Sequence, residues 1–154
     1  MTEREKQAVR NFADGCNCAQ SVLMAYADVL GLTQEQAAMV SVGFGGGMGR
    51  LRLHCGAFSA AVMLAGVLEG EAGADKTHRP RTYARVQEIY RQFIERNGTV
   101  SCAELLGRAG LPENPTPEER TPEYYARRPC ARIIRSACQL IDGMLAEQED
   151  INHE

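Results

Sequence analysis

One segment, residues 41–68, constrains the fold more than any other part of the chain. It opens with a glycine-rich run at 43–49, passes through Cys55, and continues as an apolar stretch rich in Ala, Leu and Met. This composition, with few β-branched residues, predicts a helix. The helix is apolar on every side, which indicates burial, and it is shorter than the roughly 20 residues that span a bilayer. We therefore expect residues 55–68 to form the buried central helix of an all-α domain.

Start and stop signals divide the remaining sequence into further helices, which predicts a compact bundle of about six helices. Ser or Thr followed three residues later by Glu or Gln marks starts, and Gly or Asn-Gly marks ends. The helix that begins at Arg79 should turn Tyr83, Val86, Tyr90 and Phe93 towards the core. No segment alternates with a period of two, so we expect no sheet. The helices predicted in this way cover residues 2–13, 16–30, 33–40, 56–68, 79–97, 102–107 and 130–146.

Residues 107–129 contain five of the six prolines. They predict a long irregular connection before the last helix, with one helical turn near 117–120. Loops of this length are usually functional or mobile. Tyr124 and Tyr125 within this connection should either line a pocket or anchor the connection to the core.

The acidic tail, 147–154, is expected to fray. We expect residues 1–154 to form a single helical domain.

The charge balance and the first residues exclude several classes of protein. A net charge of −3 does not favour nucleic acid or anionic lipid as a partner. The first residues are charged and lack the apolar stretch of a signal peptide, and nothing predicts direct membrane insertion. We expect a cytoplasmic, reducing location, where structural disulfides are rare. The six cysteines therefore need another explanation.

Four of the cysteines share one placement, because each falls in the first turn of a predicted helix. The free N–H groups and the positive dipole end at such a position stabilise a thiolate and lower its pKa. Basic residues also lie near two of them, at Arg50, Arg52 and His54 before Cys55 and at Arg127 and Arg128 before Cys130. The pattern predicts a shared thiol site. Its members are Cys18, Cys55, Cys102 and Cys130.

Each of these cysteines also fits the apolar stripe of its helix, where a buried thiol is inert. Cys16 and Cys138 are expected to be structural, although Cys16 could resolve a disulfide at Cys18. Cys138 lies two helical turns, about 12 Å, beyond Cys130, which is too far for a disulfide. The chain has no C-x-x-C motif, so thioredoxin-like and zinc-ribbon sites have no local support.

The glycine run, Gly45 to Gly47 at its centre, matches neither a phosphate-binding P-loop nor a dinucleotide-binding fingerprint. We interpret it as a close backbone approach whose exposed N–H groups form a nest beside Cys55, able to stabilise an anion or thiolate. Arg50 would support that nest. His54 is interpreted mainly as a surface or capping histidine, with proton transfer or metal ligation as the alternative.

Several short motifs together resemble the C_GCAxxG_C_C family, which is described as redox-active. They are the segments 17–23, 43–50, 55–57 and 101–107, together with Cys130. The resemblance implies four invariant cysteines, which carried over are Cys18, Cys55, Cys102 and Cys130, and it implies redox activity. Members are often encoded near transporter genes. The chain departs from the family motif at Ala60, which replaces its last glycine, and the 110–129 segment is longer than usual.

The leading hypothesis is a thiol-based redox protein with no cofactor, in which Cys55 attacks a disulfide or oxidant and Cys18 resolves the product. Cys102 and Cys130 would form a second pair or a relay. The alternative is a module that binds zinc or an Fe–S cluster through the same four cysteines. A helical scaffold with structural cysteines is the third reading. The partner would be an unknown redox protein or a small-molecule substrate, and a homodimer is compatible with the sequence.

Overall fold

A computed structural model describes residues 1–69, 76–108 and 114–152, and it shows an all-α chain, as predicted. Within these ranges there is no β-strand, and a single antiparallel bridge pairs His54 with Ser101. Short 3₁₀ turns occur at Val42–Phe44 and Lys76–His78. The helices are α1 (Glu3–Ala13), α2 (Cys18–Ala25), α3 (Ala27–Leu30), α4 (Gln34–Ser41), α5 (Gly45–Met48), α6 (Gly56–Glu69), α7 (Arg79–Asn97), α8 (Cys102–Leu106), α9 (Pro122–Arg127) and α10 (Cys130–Asn152).

Helix α6 is the central helix, and it contacts α2, α7 and α10. Small residues such as Ala60 and Ala61 allow this close packing. Both are completely buried, as is Leu64. A Cβ at Gly56 would lie 2.9 Å from the Phe44 carbonyl oxygen, so only glycine permits the glycine run to approach here. The prediction of burial on every side is wrong for the last turn, where Val67 is exposed.

The predicted helix at 16–30 is divided in two at Tyr26, the last residue before α3. Tyr26 is completely buried, and its hydroxyl donates to the Asp142 carboxylate at 2.6 Å and lies 3.0 Å from the Cys138 carbonyl oxygen. This polar contact across the core ties α2 to α10. A buried phenol needs such a partner, and the break in the helix accompanies that contact.

Helix α7 has the predicted bounds, but its buried stripe differs from the prediction. Ile89 and Phe93 are buried, whereas Tyr83 and Tyr90 are 60% and 45% exposed. The stripe follows an i, i+4 pair of purely apolar residues, and the tyrosine side chains reach solvent beside it.

The segment before α10 and the C-terminal tail are more regular than predicted. A helix, α9, forms at Pro122–Arg127 behind the N-cap Thr121, and no helical turn is present near 117–120. Helix α10 continues to Asn152, so the prediction of fraying is wrong for residues 147–152. Arg85 Nη1 donates to Glu147 Oε2 at 2.8 Å in this part of the helix. The remainder of the predicted tail, residues 153 and 154, lies outside the described residues, as does the 109–113 part of the proline-rich connection. Nothing among the helices in the described part has the length and apolarity needed to traverse a bilayer.

Candidate functional site: a cysteine pocket

All four cysteines predicted to form a shared site line one cavity of about 300 Å³, here called the cysteine pocket. Cys18, Cys102 and Cys130 are the first residues of α2, α8 and α10, and Cys55 directly precedes α6. Four helix starts from distant parts of the chain therefore meet at this cavity. Its wall also contains Gly45, Gly46, Gly47, Arg50, Arg52, Arg120, Tyr124 and Arg128.

The helix start at Cys18 is fixed by a reciprocal capping box. The Asn17 side chain accepts from the Gln20 N–H at 3.0 Å, and Gln20 Oε1 accepts from the Asn17 N–H at 3.1 Å. Asn17 Nδ2 also donates to the Val42 carbonyl oxygen at 2.9 Å, which ties this helix start to the glycine run. The orientation of Cys18 is therefore set by a local signal and one tertiary hydrogen bond.

The thiols of Cys18 and Cys130 interact, and this interaction is the largest cause of the pKa shift at each of them. It raises the pKa of Cys18 well above its ordinary value, with burial as a second cause. It lowers the pKa of Cys130 to about 7, against the opposing effect of burial and with help from Arg128, Arg120 and Arg52. Because these three arginines act on Cys130, we assign the negative charge of the pair to Cys130 and the proton to Cys18.

Removing the Cys18 donor should raise the pKa of Cys130. A hydrogen bond to a charged group contributes about 1.5–3 kcal/mol, so Cys18→Ala should shift that pKa upwards by about one to two units. Cys18→Ser is the matched control, because its hydroxyl retains a donor and should shift the pKa less. The ultraviolet absorbance of the thiolate against pH, with Cys130→Ser as background, measures both values. Equal pKa values in the two Cys18 variants would contradict this assignment.

Cys55 does not have the low pKa that its position in the sequence predicts. Its side chain is only 5% exposed, and burial raises the pKa of Cys55 to about 12. The N–H groups of Phe58 and Ala57 in the first turn of α6 oppose this effect without overcoming it. The helix-start argument is therefore wrong for the pKa of Cys55 and Cys18, and the pKa of Cys130 is lowered by the Cys18 thiol and nearby arginines instead.

The His54–Ser101 bridge holds Cys55 and Cys102 at the same wall of the pocket. The Cys55 N–H donates to the Val100 carbonyl oxygen at 2.7 Å, and the Cys102 N–H donates to the Leu53 carbonyl oxygen at 2.6 Å. Cys102 also accepts a hydrogen bond from Arg52 Nη1, whose distance to the sulfur is 3.5 Å. His54 itself is exposed, outside the pocket lining, and its ring packs edge-on against Phe58 with centroids 5.8 Å apart.

The glycine run forms a left-handed turn that packs against two of the cysteine-bearing helix starts. Every residue from 46 to 50, and also Arg52, has a positive φ. A Cβ at Gly45 would overlap the Asn17 side chain, and a Cβ at Gly47 would lie 2.6 Å from Cβ of Cys102. The non-glycine residues here, Met48, Arg50 and Arg52, adopt a conformation that is uncommon for them.

The 114–129 segment brings arginines to the pocket from a distant part of the chain, and the sequence reasoning did not identify Arg120. Arg120 Nη2 donates to the Cys16 carbonyl oxygen at 3.0 Å, and its guanidinium stacks 4.7 Å from the ring centroid of Tyr124. Arg128 stacks on the same ring at 4.6 Å and pairs with Glu118 at 2.8 Å. An aromatic pair with arginines on both sides of it was the available signal for these cation–π contacts.

Cys16 and Cys138 lie outside the pocket lining. The sulfur of Cys16 is 3.9 Å from the Met24 sulfur, and Cys138 is completely buried, which raises its pKa to about 12.

Zinc or Fe–S binding would need several ligand side chains close together. Among the described residues, no group of three or more His, Cys, Asp or Glu side chains is arranged so that it could hold a metal ion. The metal alternative stays a prediction without geometric support.

The comparisons with known proteins agree with the motifs in the sequence. A family model described as "Putative redox-active protein (C_GCAxxG_C_C)" matches residues 16–144. A protein of Archaeoglobus fulgidus named "Uncharacterized protein" is 28% identical over 160 residues, covering 97% of this chain and 99% of its own length. No solved structure matches the chain significantly. The match includes all four pocket cysteines, and the chain therefore belongs to the C_GCAxxG_C_C family.

Proposed function

We propose that the protein carries out thiol–disulfide redox chemistry with Cys130 as the attacking thiolate and Cys18 as the resolving thiol. The observation that supports this most is that Cys18 and Cys130 line the same cavity, where the Cys18 thiol and three arginines lower the pKa of Cys130 to about 7. At neutral pH such a pair would hold one thiolate and one neutral thiol.

In the first step the Cys130 thiolate attacks one sulfur of a substrate disulfide. A bond forms between Cys130 Sγ and that sulfur, the substrate S–S bond breaks, and the other half leaves as a thiolate. Arg128, Arg120 and Arg52 all lower the pKa of Cys130, so the attacking sulfur is negatively charged before substrate arrives.

In the second step Cys18 transfers its proton to the first departing thiolate and attacks Cys130 Sγ. The Cys18–Cys130 disulfide forms, the bond between Cys130 Sγ and the substrate sulfur breaks, and the second half of the substrate leaves as a thiolate that takes a proton from water. Two electrons have moved from the cysteine pair to the substrate, which is released as two thiols once that second proton has been taken up. Loss of the negative charge on Cys130 during the first step removes the interaction that raises the pKa of Cys18, so Cys18 ionises more easily when it is needed.

This assignment is tested by oxidising the reduced protein with the neutral disulfide bis(2-hydroxyethyl) disulfide and counting free thiols. We expect loss of two thiols, recovery after addition of reductant, and one cross-linked peptide that joins Cys18 to Cys130 by mass spectrometry. A Cys16→Ser/Cys138→Ser variant should behave as the parent, since neither residue lines the pocket. A cross-link between other cysteines, a covalent dimer, or unchanged thiols would refute the assignment.

A further inference from the structure

The wall of the cysteine pocket carries more positive than negative charge. Four guanidinium groups line it, and one carboxylate, Glu118, is present among the described lining residues. A hydrogen bond from Arg108 keeps the pKa of Glu118 below its ordinary value, so this carboxylate is ionised near neutral pH. Among the described lining residues, positive charge is in excess even with the Cys130 thiolate included, whereas the whole chain has a net charge of −3. The lining arginines are Arg50, Arg52, Arg120 and Arg128.

Two of these arginines are placed by the left-handed turn. Arg50 and Arg52 have φ of 64° and 60°, a conformation that costs free energy for any residue with a Cβ. Arg52 is only 5% exposed and reaches Cys102, and Arg50 Nε donates to the Asn114 carbonyl oxygen at 2.8 Å. The strained backbone therefore directs two cations to the wall that holds the thiols. Such outliers concentrate at binding and active sites.

The rest of the wall is apolar, and the cavity is small. Leu105, Leu106, Ile133 and the ring of Tyr124 line it beside the arginines. A volume of about 300 Å³ lies at the lower end of the range for small-molecule pockets, about 300–1,000 Å³. The space suits a short organic chain with an anionic end group.

We infer that the substrate of this pocket is a small organic disulfide that carries carboxylate or similar anionic groups. The inference rests on the proposed thiol–disulfide function and names its substrate class. Arg50 and Arg52 receive the anionic group while the Cys130 thiolate attacks the disulfide, and the apolar wall holds the short carbon chain. The substrate disulfide accepts two electrons and leaves as two small thiols, and the Cys18–Cys130 disulfide is left in the protein.

Three disulfides of similar size and different charge test this inference: dithiodiglycolate (anionic), bis(2-hydroxyethyl) disulfide (neutral) and cystamine (cationic). The rate of thiol loss from the reduced protein is divided by the rate of the same disulfide with free mercaptoethanol, which removes differences in intrinsic reactivity. We expect the normalised rate to be at least about tenfold higher for the anionic than for the cationic disulfide at low ionic strength, and salt should reduce this ratio. A ratio of one, or a reversed order, would overturn the inference.

The matched variants are Arg50→Gln, which removes a pocket cation, and Arg79→Gln, which removes an exposed cation at the start of α7. Arg50→Gln should lower the anionic-to-cationic ratio several-fold, and Arg79→Gln should leave it unchanged. Equal effects of the two variants would refute a role of the pocket arginines.

Binding is measured separately from exchange with thiodiglycolate, a thioether that cannot be reduced by thiols. It should slow alkylation of Cys130 by a neutral reagent, and bis(2-hydroxyethyl) sulfide should not. Absence of protection refutes anion binding. If thiodiglycolate protects but no disulfide oxidises the Cys18–Cys130 pair, the redox proposal fails and anion binding stands. If all three disulfides form the Cys18–Cys130 bond at equal normalised rates, the redox function stands and the substrate class is wrong.

Discussion

Replacing Cys130 by serine should reduce the rate of thiol alkylation near pH 7 by at least about tenfold. With the pKa of Cys130 at about 7, half of this side chain is a thiolate at that pH. The pKa values of Cys55 and Cys138 are about 12, so their thiolate fractions are roughly five orders of magnitude smaller. A thiolate whose thiol has a higher pKa is intrinsically more nucleophilic, but this offsets only about half of the difference in thiolate fraction on a logarithmic scale. The pKa values of Cys16 and Cys18 are raised as well, so Cys130 should react faster than these four thiols.

The control is Cys138→Ser, a substitution on the same helix at a completely buried position outside the pocket. It should leave the fast phase unchanged, and so should Cys55→Ser. The parent rate should also rise with pH through about 7, which is the pKa of Cys130. Alkylation with a small neutral reagent, followed by mass spectrometry of each cysteine, measures this. A fast phase that survives in Cys130→Ser would show that another cysteine is the nucleophile.

Gly47→Ala should lower the free energy of unfolding by about 3 kcal/mol or more. Gly47 has φ of 69°, which costs about 1–2 kcal/mol for a residue with a Cβ. Its added Cβ would also lie 2.6 Å from Cβ of Cys102 and 2.7 Å from the Leu53 backbone nitrogen. Relief of such contacts requires a shift of α8 or of the bridge beside it, at a cost of about 1–3 kcal/mol. Urea unfolding of the reduced protein measures the difference.

Gly49→Ala separates the two causes. Gly49 has φ of 59°, and a Cβ there would meet no other atom within 4 Å. It should therefore lose only the conformational part, about 1 kcal/mol. If both variants lose the same stability, the close approach of the glycine run to Cys102 does not constrain the fold.

Local signals in the sequence were sufficient to place most helices and the four pocket cysteines. The capping box of Thr33 and Gln36 forms as predicted, and Ser101 caps α8, because these interactions depend on residues three apart. The glycine run was correctly predicted to be a close approach. Its left-handed turn was not predicted, since Met48 and Arg50 disfavour positive φ and tertiary contacts impose it.

The low pKa predicted for Cys55 shows where sequence reasoning stops. A helix dipole at an exposed site contributes about 0.3–1 kcal/mol, which is less than one pKa unit. Burial at Cys55 has a larger effect and raises its pKa to about 12. The interaction between Cys18 and Cys130, and the cation–π contact of Arg120 with Phe12, join residues about a hundred positions apart. No local pattern contains that information.

In the proposed reaction, the proton held by the Cys18–Cys130 pair would determine how the driving force responds to pH. Below the pKa of Cys130, about 7, reduction of the disulfide takes up two electrons and two protons. Above it, and until the raised pKa of Cys18 is reached, reduction takes up two electrons and one proton. The reduction potential should thus fall by about 59 mV per pH unit in the first range and about 30 mV in the second. Around neutral pH the reduction potential of the protein would therefore depend less on pH than that of a pair of ordinary thiols. The reason is that Cys130 is ionised in the folded reduced protein and only Cys18 takes up a proton.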